Sequence, residues 1–216
     1  MDSSTAVQAG PVTQGAAKRG WGIKEIITTV LFSVLMIVLM LGAGGLSMFS
    51  ADFALVGSSA VACFVAAPVF MLMTMRVQRF GSTVFLSVLT AITFCLTGNY
   101  WYMVPFYLLM GVVVDLIMLK PAWRTSPWRI IAGWTVYSAL YVGSSLIPVF
   151  MNLEAYLAEA TAGRALDQSY ADAYVMYFTS PEWIVAIVLI TAAGGFLGGL
   201  LGKKLMKKHF AKTGAI

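Results

Sequence analysis

Long apolar stretches alternate with short polar ones along most of the chain. A helix that crosses a lipid bilayer needs about 20 mostly apolar residues. Six stretches fit this requirement, although the third is short, and each predicts a transmembrane helix: residues 24–44, 53–75, 82–98, 102–119, 128–150 and 181–202. Pro68, Pro105 and Pro148 lie inside these stretches, where a proline can bend or open a helix.

The composition is typical of a membrane protein. Of 216 residues, 60% are hydrophobic and 11% are charged, and the mean hydropathy is +0.85. Soluble domains have roughly 45–50% apolar and about 25% charged residues, so a water-soluble fold of this size could not bury this chain's apolar surface. We therefore predict an all-α integral membrane protein with one six-helix domain at residues 21–210, preceded by a disordered cytoplasmic tail at residues 1–20.

Charge differs sharply between the two sets of connections. One set, together with both ends of the chain, carries thirteen of the fourteen lysine and arginine residues. Because basic connections stay in the cytoplasm, we predict that the N and C termini are cytoplasmic. The opposite, outer set carries one basic residue and six acidic ones: Arg164, Asp52, Glu154, Glu159, Asp167, Asp172 and Glu182.

The basic sequence "KKLMKKHFAKTG" at residues 203–214 is compatible with several kinds of site. A nucleic-acid site needs a basic surface on a folded soluble domain, and a metal site needs companions for His209, the only histidine. The lysine pairs 203–204 and 207–208 instead follow a helix out of the membrane, where each lysine gains about 1 kcal/mol from anionic lipid. We predict a lipid-facing anchor, with no metal and no nucleic acid bound.

Sequence motifs for catalysis are missing. The chain has no HExxH, no GxSxG, no pair of carboxylates within a span and no GxxxxGK[ST] phosphate loop, which are the usual patterns for metal, serine and nucleotide chemistry. Cys63 and Cys95 lie in apolar stretches and are predicted to be buried thiols. We expect no enzymatic activity and no cofactor.

Asp115 is the clearest charged residue within a predicted span. It lies near the inner end of the fourth span, whereas proton-coupling acids lie near the middle of the bilayer. Two interpretations remain open: a structural acid paired with Lys120 or another inner basic residue, and a docking contact with a partner protein.

Polar groups suited to ligand binding collect at the outer turn "TGNYWYMVPFY". Tyr100 and Trp101 offer ring faces for stacking, and the amide of Asn99 both donates and accepts hydrogen bonds. An ordinary belt of interfacial aromatic residues explains the same residues equally well.

Two further groups of polar side chains lie on the outer side. In the fifth span, Tyr137, Tyr141 and either Ser144 or Ser145 share one helical face, directed at a cavity or at a neighbouring helix. In the outer loop 151–180, Tyr170 and Tyr174 belong to a tyrosine stripe at helical spacing. We predict two short amphipathic helices here, acting as a lid or as an interfacial anchor.

Five short sequences resemble, in order and spacing, one family of membrane proteins: "KEIITTVLF", "PVFMLMTMRVQRFGS", "LTGNYWYM", "GVVVDLIM" and "LGGLLGKKLMKKHFAKTGAI". The chain after residue 20 is similar to the substrate-binding S components of energy-coupling factor (ECF) transporters, in particular the Trep_Strep, or MptD-like, group. The resemblance implies an ECF S-component-like bundle in the plasma membrane of a prokaryote. Such a subunit captures a vitamin or similar micronutrient from outside and docks on a membrane T component with two cytoplasmic ATPases.

The resemblance also implies residue roles. It assigns ligand contacts by motif to Asn99, Tyr100 and Trp101, and by region to Tyr141, Ser144, Asn152 and Tyr174. It implies T-component docking through small residues on the first span, where this chain has Thr29 and Ser33 instead of alanines. The rings and the scarcity of charge favour a planar or amphipathic ligand over a metal ion. The alternative is a stand-alone secondary transporter or channel for a small organic solute.

Overall fold

The computed structural model describes residues 20–45, 50–97, 100–162 and 167–210, which form a helical bundle without strands in those ranges. The all-α fold is confirmed, whereas the predicted disordered tail falls, except for residue 20, outside the described residues. The helices are α1 (Ile23–Gly45), α2 (Ala51–Val56), α3 (Ser58–Val77), α4 (Ser82–Leu96), α5 (Met103–Ile117), α6 (Pro127–Tyr141), α7 (Gly143–Met151), α8 (Leu153–Ala162), α9 (Gln168–Thr179) and α10 (Pro181–Leu205).

Six parts of this bundle are apolar enough to lie in a membrane. Four are long: α1, α3, the stretch Pro127–Met151 made of α6 and α7, and Pro181–Lys208, which includes α10. The other two, α4 and α5, are shorter. The six predicted spans match these parts, with two differences: the predicted span 53–75 is divided at Gly57 into α2 and α3, and the predicted span 128–150 is divided at Val142 into α6 and α7. The prediction of a membrane bundle of about six helices is confirmed.

Helix α10 lies so close to its neighbours that only glycine fits at several positions. A Cβ atom added at Gly198 would collide with the carbonyl oxygen of Phe64 in α3. On an adjacent face, a Cβ at Gly199 would lie 3.0 Å from Ile131 in α6. Because lipid supplies no hydrophobic force between helices, membrane bundles depend on such close packing. Helix α10 therefore holds α3 and α6 together.

A buried ion pair joins α5 to the loop that follows it, and the carboxylate of the pair also binds the start of α4. Asp115 Oδ1 lies 2.8 Å from Arg124 Nη1, and the two side chains are 0% and 1% exposed. Asp115 Oδ2 accepts hydrogen bonds from the backbone N–H groups of Gly81, Thr83 and Val84 at 2.9, 3.1 and 3.2 Å. The first N–H groups of a helix have no partner within the helix and favour negative charge. The carboxylate of Asp115 thus caps α4 from a neighbouring helix.

Arg124 makes two further hydrogen bonds, one to the first residue of α4 and one to the backbone of α5. Its Nη1 donates to Ser82 Oγ at 3.1 Å and its Nη2 donates to the carbonyl oxygen of Asp115 at 3.3 Å. The prediction of a structural acid thus fits the structure, with Arg124 as the partner; Lys120 instead places its ammonium 5.2 Å from the centre of the Trp123 ring. The docking interpretation is corrected, because a fully buried carboxylate presents no surface to a partner.

Thr29 and Ser33, predicted to dock a partner, are buried within this chain. Both are 0% exposed. The Thr29 hydroxyl donates to the carbonyl oxygen of Glu25 at 2.7 Å, and the Ser33 hydroxyl contacts Met73 Sδ of α3 at 3.9 Å. Small side chains let helices approach closely, so this pair packs α1 onto the bundle. The prediction that the pair forms a docking face is corrected accordingly.

Aromatic packing fills the middle of the bundle. The rings of Phe70 and Trp134 lie 4.5 Å apart, and Tyr137 stacks on Trp134 at 4.9 Å. The Trp134 indole N–H donates to the carbonyl oxygen of Cys63 at 2.9 Å. Cys63 is buried as predicted, whereas Cys95 is only partly buried. This layer closes the bundle beneath the outer half, where the cavities lie.

The basic end of the chain begins as a continuation of α10. Lys203 and Lys204 occupy the last turn of that helix, where positive charge favours the helix dipole. The Lys203 ammonium lies 3.9 Å from the centre of the Trp128 ring, which links α10 to the start of α6. Residues 211–214 of the predicted anchor lie outside the described part of the chain.

Candidate functional site

Two adjoining cavities lie in the half of the bundle predicted to face outward. Their volumes are about 320 Å³ and about 210 Å³. Four residues line both cavities, so the two spaces have a common wall: Ser58, Ser59, Phe94 and Tyr141. Small-molecule sites are commonly about 300–1,000 Å³ in volume, and the two spaces together fall in that range. We call the larger one the apolar cavity and the smaller one the hydroxyl cavity.

The apolar cavity lies among α1, α3 and α4. Thr90 and Thr93 of α4 line it, but their hydroxyls donate to the carbonyl oxygens of the residues four positions earlier, at 2.8 and 2.9 Å. These hydroxyl protons are therefore engaged within the helix. The rest of the wall includes the side chains of Ile37, Met40, Leu41 and Ala62.

The hydroxyl cavity lies between the outer ends of α5 to α7 and the helices of the last loop. Phe94 stacks on Tyr107 with ring centres 5.8 Å apart, and Tyr107 meets Tyr141 edge-on at 6.3 Å. These three rings form an aromatic wall. The hydroxyls that complete the lining can each donate and accept a hydrogen bond, and include those of Ser144, Ser145, Tyr156 and Tyr170.

Helices α8 and α9 form a roof over the hydroxyl cavity. The rings of Tyr156 in α8 and Tyr174 in α9 lie 4.9 Å apart, and Tyr174 also packs on Phe178 at 4.8 Å. The Tyr174 hydroxyl donates to the carbonyl oxygen of Ser145, which fixes α9 to α7. The predicted pair of helices in loop 151–180 is therefore present; its action as a lid stays a prediction.

A second contact, between α9 and α2, holds the roof at its other edge. The Tyr177 hydroxyl donates to Asp52 Oδ1 at 2.8 Å, and its ring meets Trp183 edge-on at 4.9 Å. The hydrogen bond to Asp52, together with burial, raises the pKa of the Tyr177 phenol. This bond joins two helices that are distant in sequence, α2 and α9, and we call it the latch of the roof.

Removing the latch should loosen α9. We expect Tyr177→Phe, which keeps the ring and deletes the hydroxyl, to raise the hydrogen-exchange rates of α9 amides about tenfold, because a hydrogen bond to a charged group contributes about 1.5–3 kcal/mol. Exchange measured by mass spectrometry in nanodiscs checks this. Met176→Leu, which changes an exposed side chain on the same helix, is the control, and similar exchange in both variants would contradict the latch.

The structure brings only part of the predicted site together. Tyr141 and Ser144 line the hydroxyl cavity, and Tyr174 packs in its roof. Tyr137, one turn deeper in α6 than Tyr141, is 0% exposed and packs on Trp134 instead of lining either cavity. Asn152 Oδ1 accepts from the N–H of Ala155 at 2.9 Å and so caps the start of α8.

The predicted aromatic turn lies beside the cavities. Trp101 is 76% exposed and meets Tyr102 edge-on at 6.4 Å, as in a belt of interfacial residues. Tyr100 stacks on Tyr102 at 4.9 Å. Its ring also lies 6.4 Å from that of Tyr156 in α8, so it packs against the roof. Asn99 lies outside the described residues.

Several cavity residues were missed by the sequence prediction. Ser58 and Ser59 are adjacent hydroxyls near the outer end of an apolar span, and polar residues inside a span commonly face a cavity or another helix; this signal was available. Phe94 and Tyr107 gave no such signal, because aromatic residues within a span fit a core, a lipid face or a site equally well.

The lining of both cavities lacks ionised groups among the described residues. Within the same residues, no group of three or more His, Cys, Asp and Glu is arranged to hold a metal ion. The chemistry offered is therefore stacking on rings, hydrogen bonding to hydroxyls, and contact with aliphatic side chains.

Comparison with known protein families identifies the family of this chain. A family model described as "Hypothetical bacterial integral membrane protein (Trep_Strep)" matches residues 23–212. No curated protein and no solved structure matches. The matched range includes every helix from α1 to α10 and both cavities.

Proposed function

Because the chain belongs to the Trep_Strep family of bacterial integral membrane proteins, we propose that it is the substrate-binding S component of an ECF-type importer. In this role it captures a vitamin-like or other small micronutrient from outside. It then docks on a T component with two cytoplasmic ATPases, which supply the energy for release inside. The chain itself carries out no chemical reaction.

The observation that carries this proposal is the pair of adjoining cavities in the outer half of the bundle, of which the hydroxyl cavity is covered by the roof. Concave sites with mostly apolar walls and a few convergent polar groups are typical of small-molecule binding. The aromatic wall of Phe94, Tyr107 and Tyr141 and the roof of α8 and α9 suit capture from the outer side.

The inner half supports a binding subunit over a self-sufficient channel. Below the cavities the bundle is filled by fully buried side chains, including Phe70 and Trp134. Further inward lies the Asp115–Arg124 pair, whose side chains are 0% and 1% exposed. Moving a ligand past these layers requires a large rearrangement, which an external energy source can drive.

The decisive experiment reconstitutes the chain in liposomes with and without the T component and ATPases. We expect ATP-dependent accumulation of the compound that co-purifies with the chain, only when all subunits are present. Net accumulation by the isolated chain without ATP would overturn the proposal in favour of a secondary transporter. Failure of the chain to co-purify with a T component would also count against it.

Two variants test which outer residues hold the ligand. We expect Tyr141→Ala to lower the amount of co-purified compound at least about tenfold, because it removes a wall common to both cavities and a buried ring contributes about 1–3 kcal/mol or more. Trp101→Ala should change it less than about twofold, since exposed side chains contribute little. Mass spectrometry of the compounds released from equal amounts of folded protein measures both.

The opposite ranking would contradict this arrangement. If Trp101→Ala released the compound and Tyr141→Ala retained it, the ligand would lie at the turn between α4 and α5 and not in the cavities. A size-exclusion profile matching the wild-type protein is the control for folding.

A further inference from the structure

We propose that the ligand is an uncharged amphipathic molecule, with its apolar part in the apolar cavity and its hydrogen-bonding part in the hydroxyl cavity. The inference rests on the proposed function, because it assigns the ligand class of the same capture site. The shared wall, which includes Ser59, Phe94 and Tyr141, lets one molecule occupy both spaces.

The absence of charge in the lining selects an uncharged ligand. Across the described residues of both walls, none is Asp, Glu, Lys, Arg or His. An ionised ligand group buried there would lose its water and gain no counter-ion, at a cost of several kcal/mol. The carboxylate of Asp52, at the edge of the roof, is bonded to the Tyr177 hydroxyl.

The hydroxyl cavity selects neutral polar groups. Its phenols and serine hydroxyls match a ligand hydroxyl, carbonyl or amide, each of which is satisfied by neutral donors and acceptors. The Ser144 hydroxyl already donates to the carbonyl oxygen of Tyr141 at 2.8 Å, but a hydroxyl oxygen has two lone pairs and can still accept from a ligand donor. This end of the site therefore favours a polar head.

The apolar cavity selects a hydrocarbon part. The hydroxyls of Thr90 and Thr93 bond to their own helix, and that of Ser58 donates to the carbonyl oxygen of Ala54 in the preceding helix α2. Few hydrogen-bonding groups remain on this wall. Apolar surface buried here gains about 25 cal/mol per Å² relative to water, so a ring or short chain belongs in this part.

Glycines on α1 allow the apolar cavity to be filled without disturbing the helix packing. Gly44 lines the cavity, and a Cβ atom added there meets no other group within 4 Å. A Cβ atom added at Gly42 likewise meets no other group within 4 Å, but Gly42 is exposed and does not line the apolar cavity. Leucine is a good helix former at either position. Gly44→Leu and Gly42→Leu are therefore a matched pair.

Three indole compounds of similar size separate the ligand classes: tryptophol is neutral, indole-3-acetate is an anion and tryptamine is a cation. Titration calorimetry with the full chain in nanodiscs should show tryptophol binding at least about tenfold more tightly than either charged compound. Gly44→Leu should weaken tryptophol binding at least about tenfold, whereas Gly42→Leu should change it less than about twofold.

The inference would be overturned if either charged compound bound as tightly as tryptophol, or if tryptophol did not bind. It would also be overturned if Gly44→Leu and Gly42→Leu weakened tryptophol binding equally. A failure of the proposed function would be seen in a different experiment, as the absence of ATP-dependent uptake with the T component and ATPases. The indole titrations use the isolated chain and do not depend on that result.

Discussion

Arg124→Met should destabilise the protein by about 3–5 kcal/mol, because it leaves the buried carboxylate of Asp115 without its counter-charge. The methionine keeps most of the side-chain volume, so the loss reports the charge and its hydrogen bonds. Arg124 also bonds Ser82, so its removal takes a contact from the start of α4. Unfolding titrations with sodium dodecyl sulfate in mixed micelles measure the change in the free energy of unfolding.

Two further variants isolate the cause. Arg129→Met removes an exposed arginine 4.3 Å from the Trp123 ring centre and should cost no more than about 1 kcal/mol. Adding Asp115→Asn to Arg124→Met should restore part of the loss, because the amide oxygen can still accept from the N–H groups at the start of α4 while the unpaired charge is gone. An Arg124→Met protein as stable as wild type would contradict the ion pair's role.

Gly198→Val should prevent α10 from packing on α3. Even the Cβ atom of alanine would collide with the carbonyl oxygen of Phe64 and would lie 2.8 Å from the Cβ of Ala67, and neither backbone nor Cβ can rotate away. Overpacking of this kind typically costs about 1–3 kcal/mol, and sometimes more; the branched valine belongs at the upper end. The expected result is a strong loss of monodisperse protein in size-exclusion chromatography.

The neighbouring position provides the control for Gly198→Val. Leu197 is 54% exposed on the outside of the bundle, so Leu197→Val places the same residue one position away in lipid. We expect its elution profile and its free energy of unfolding to stay close to wild type. If both valine variants were equally stable, the close contact between α10 and α3 would not be important for the fold.

The helices were largely predictable because a membrane-spanning helix has a simple sequence pattern. The length and apolarity of a span are fixed by the bilayer, so the stretches at 24–44 and 181–202 could be recognised without tertiary information. The position of Asp115 was informative for a related reason: an acid within a span needs a nearby partner. The partner itself, Arg124, depended on the path of the loop after α5.

The ligand residues were harder to predict because the cavities are made by tertiary contacts. Asp52 and Tyr177 meet across 125 positions of sequence, and no local pattern indicates that bond. Tyr141 and Trp101 are both aromatic residues near the outer ends of spans, yet one lines the cavities and the other is 76% exposed. Residue type and helical spacing are the same evidence in both cases, so sequence alone could not separate them.

Because helices α4 and α5 are short, the stability of this protein should depend on the thickness of the bilayer. Each has 15 residues, or about 22 Å of helix, against about 30 Å of hydrocarbon. A short span is accommodated by thinning of the surrounding lipid, at a modest cost for each ångström of mismatch. The membrane beside these two helices should therefore be locally thinner, and the protein should be more stable in lipids with short acyl chains than in those with long ones.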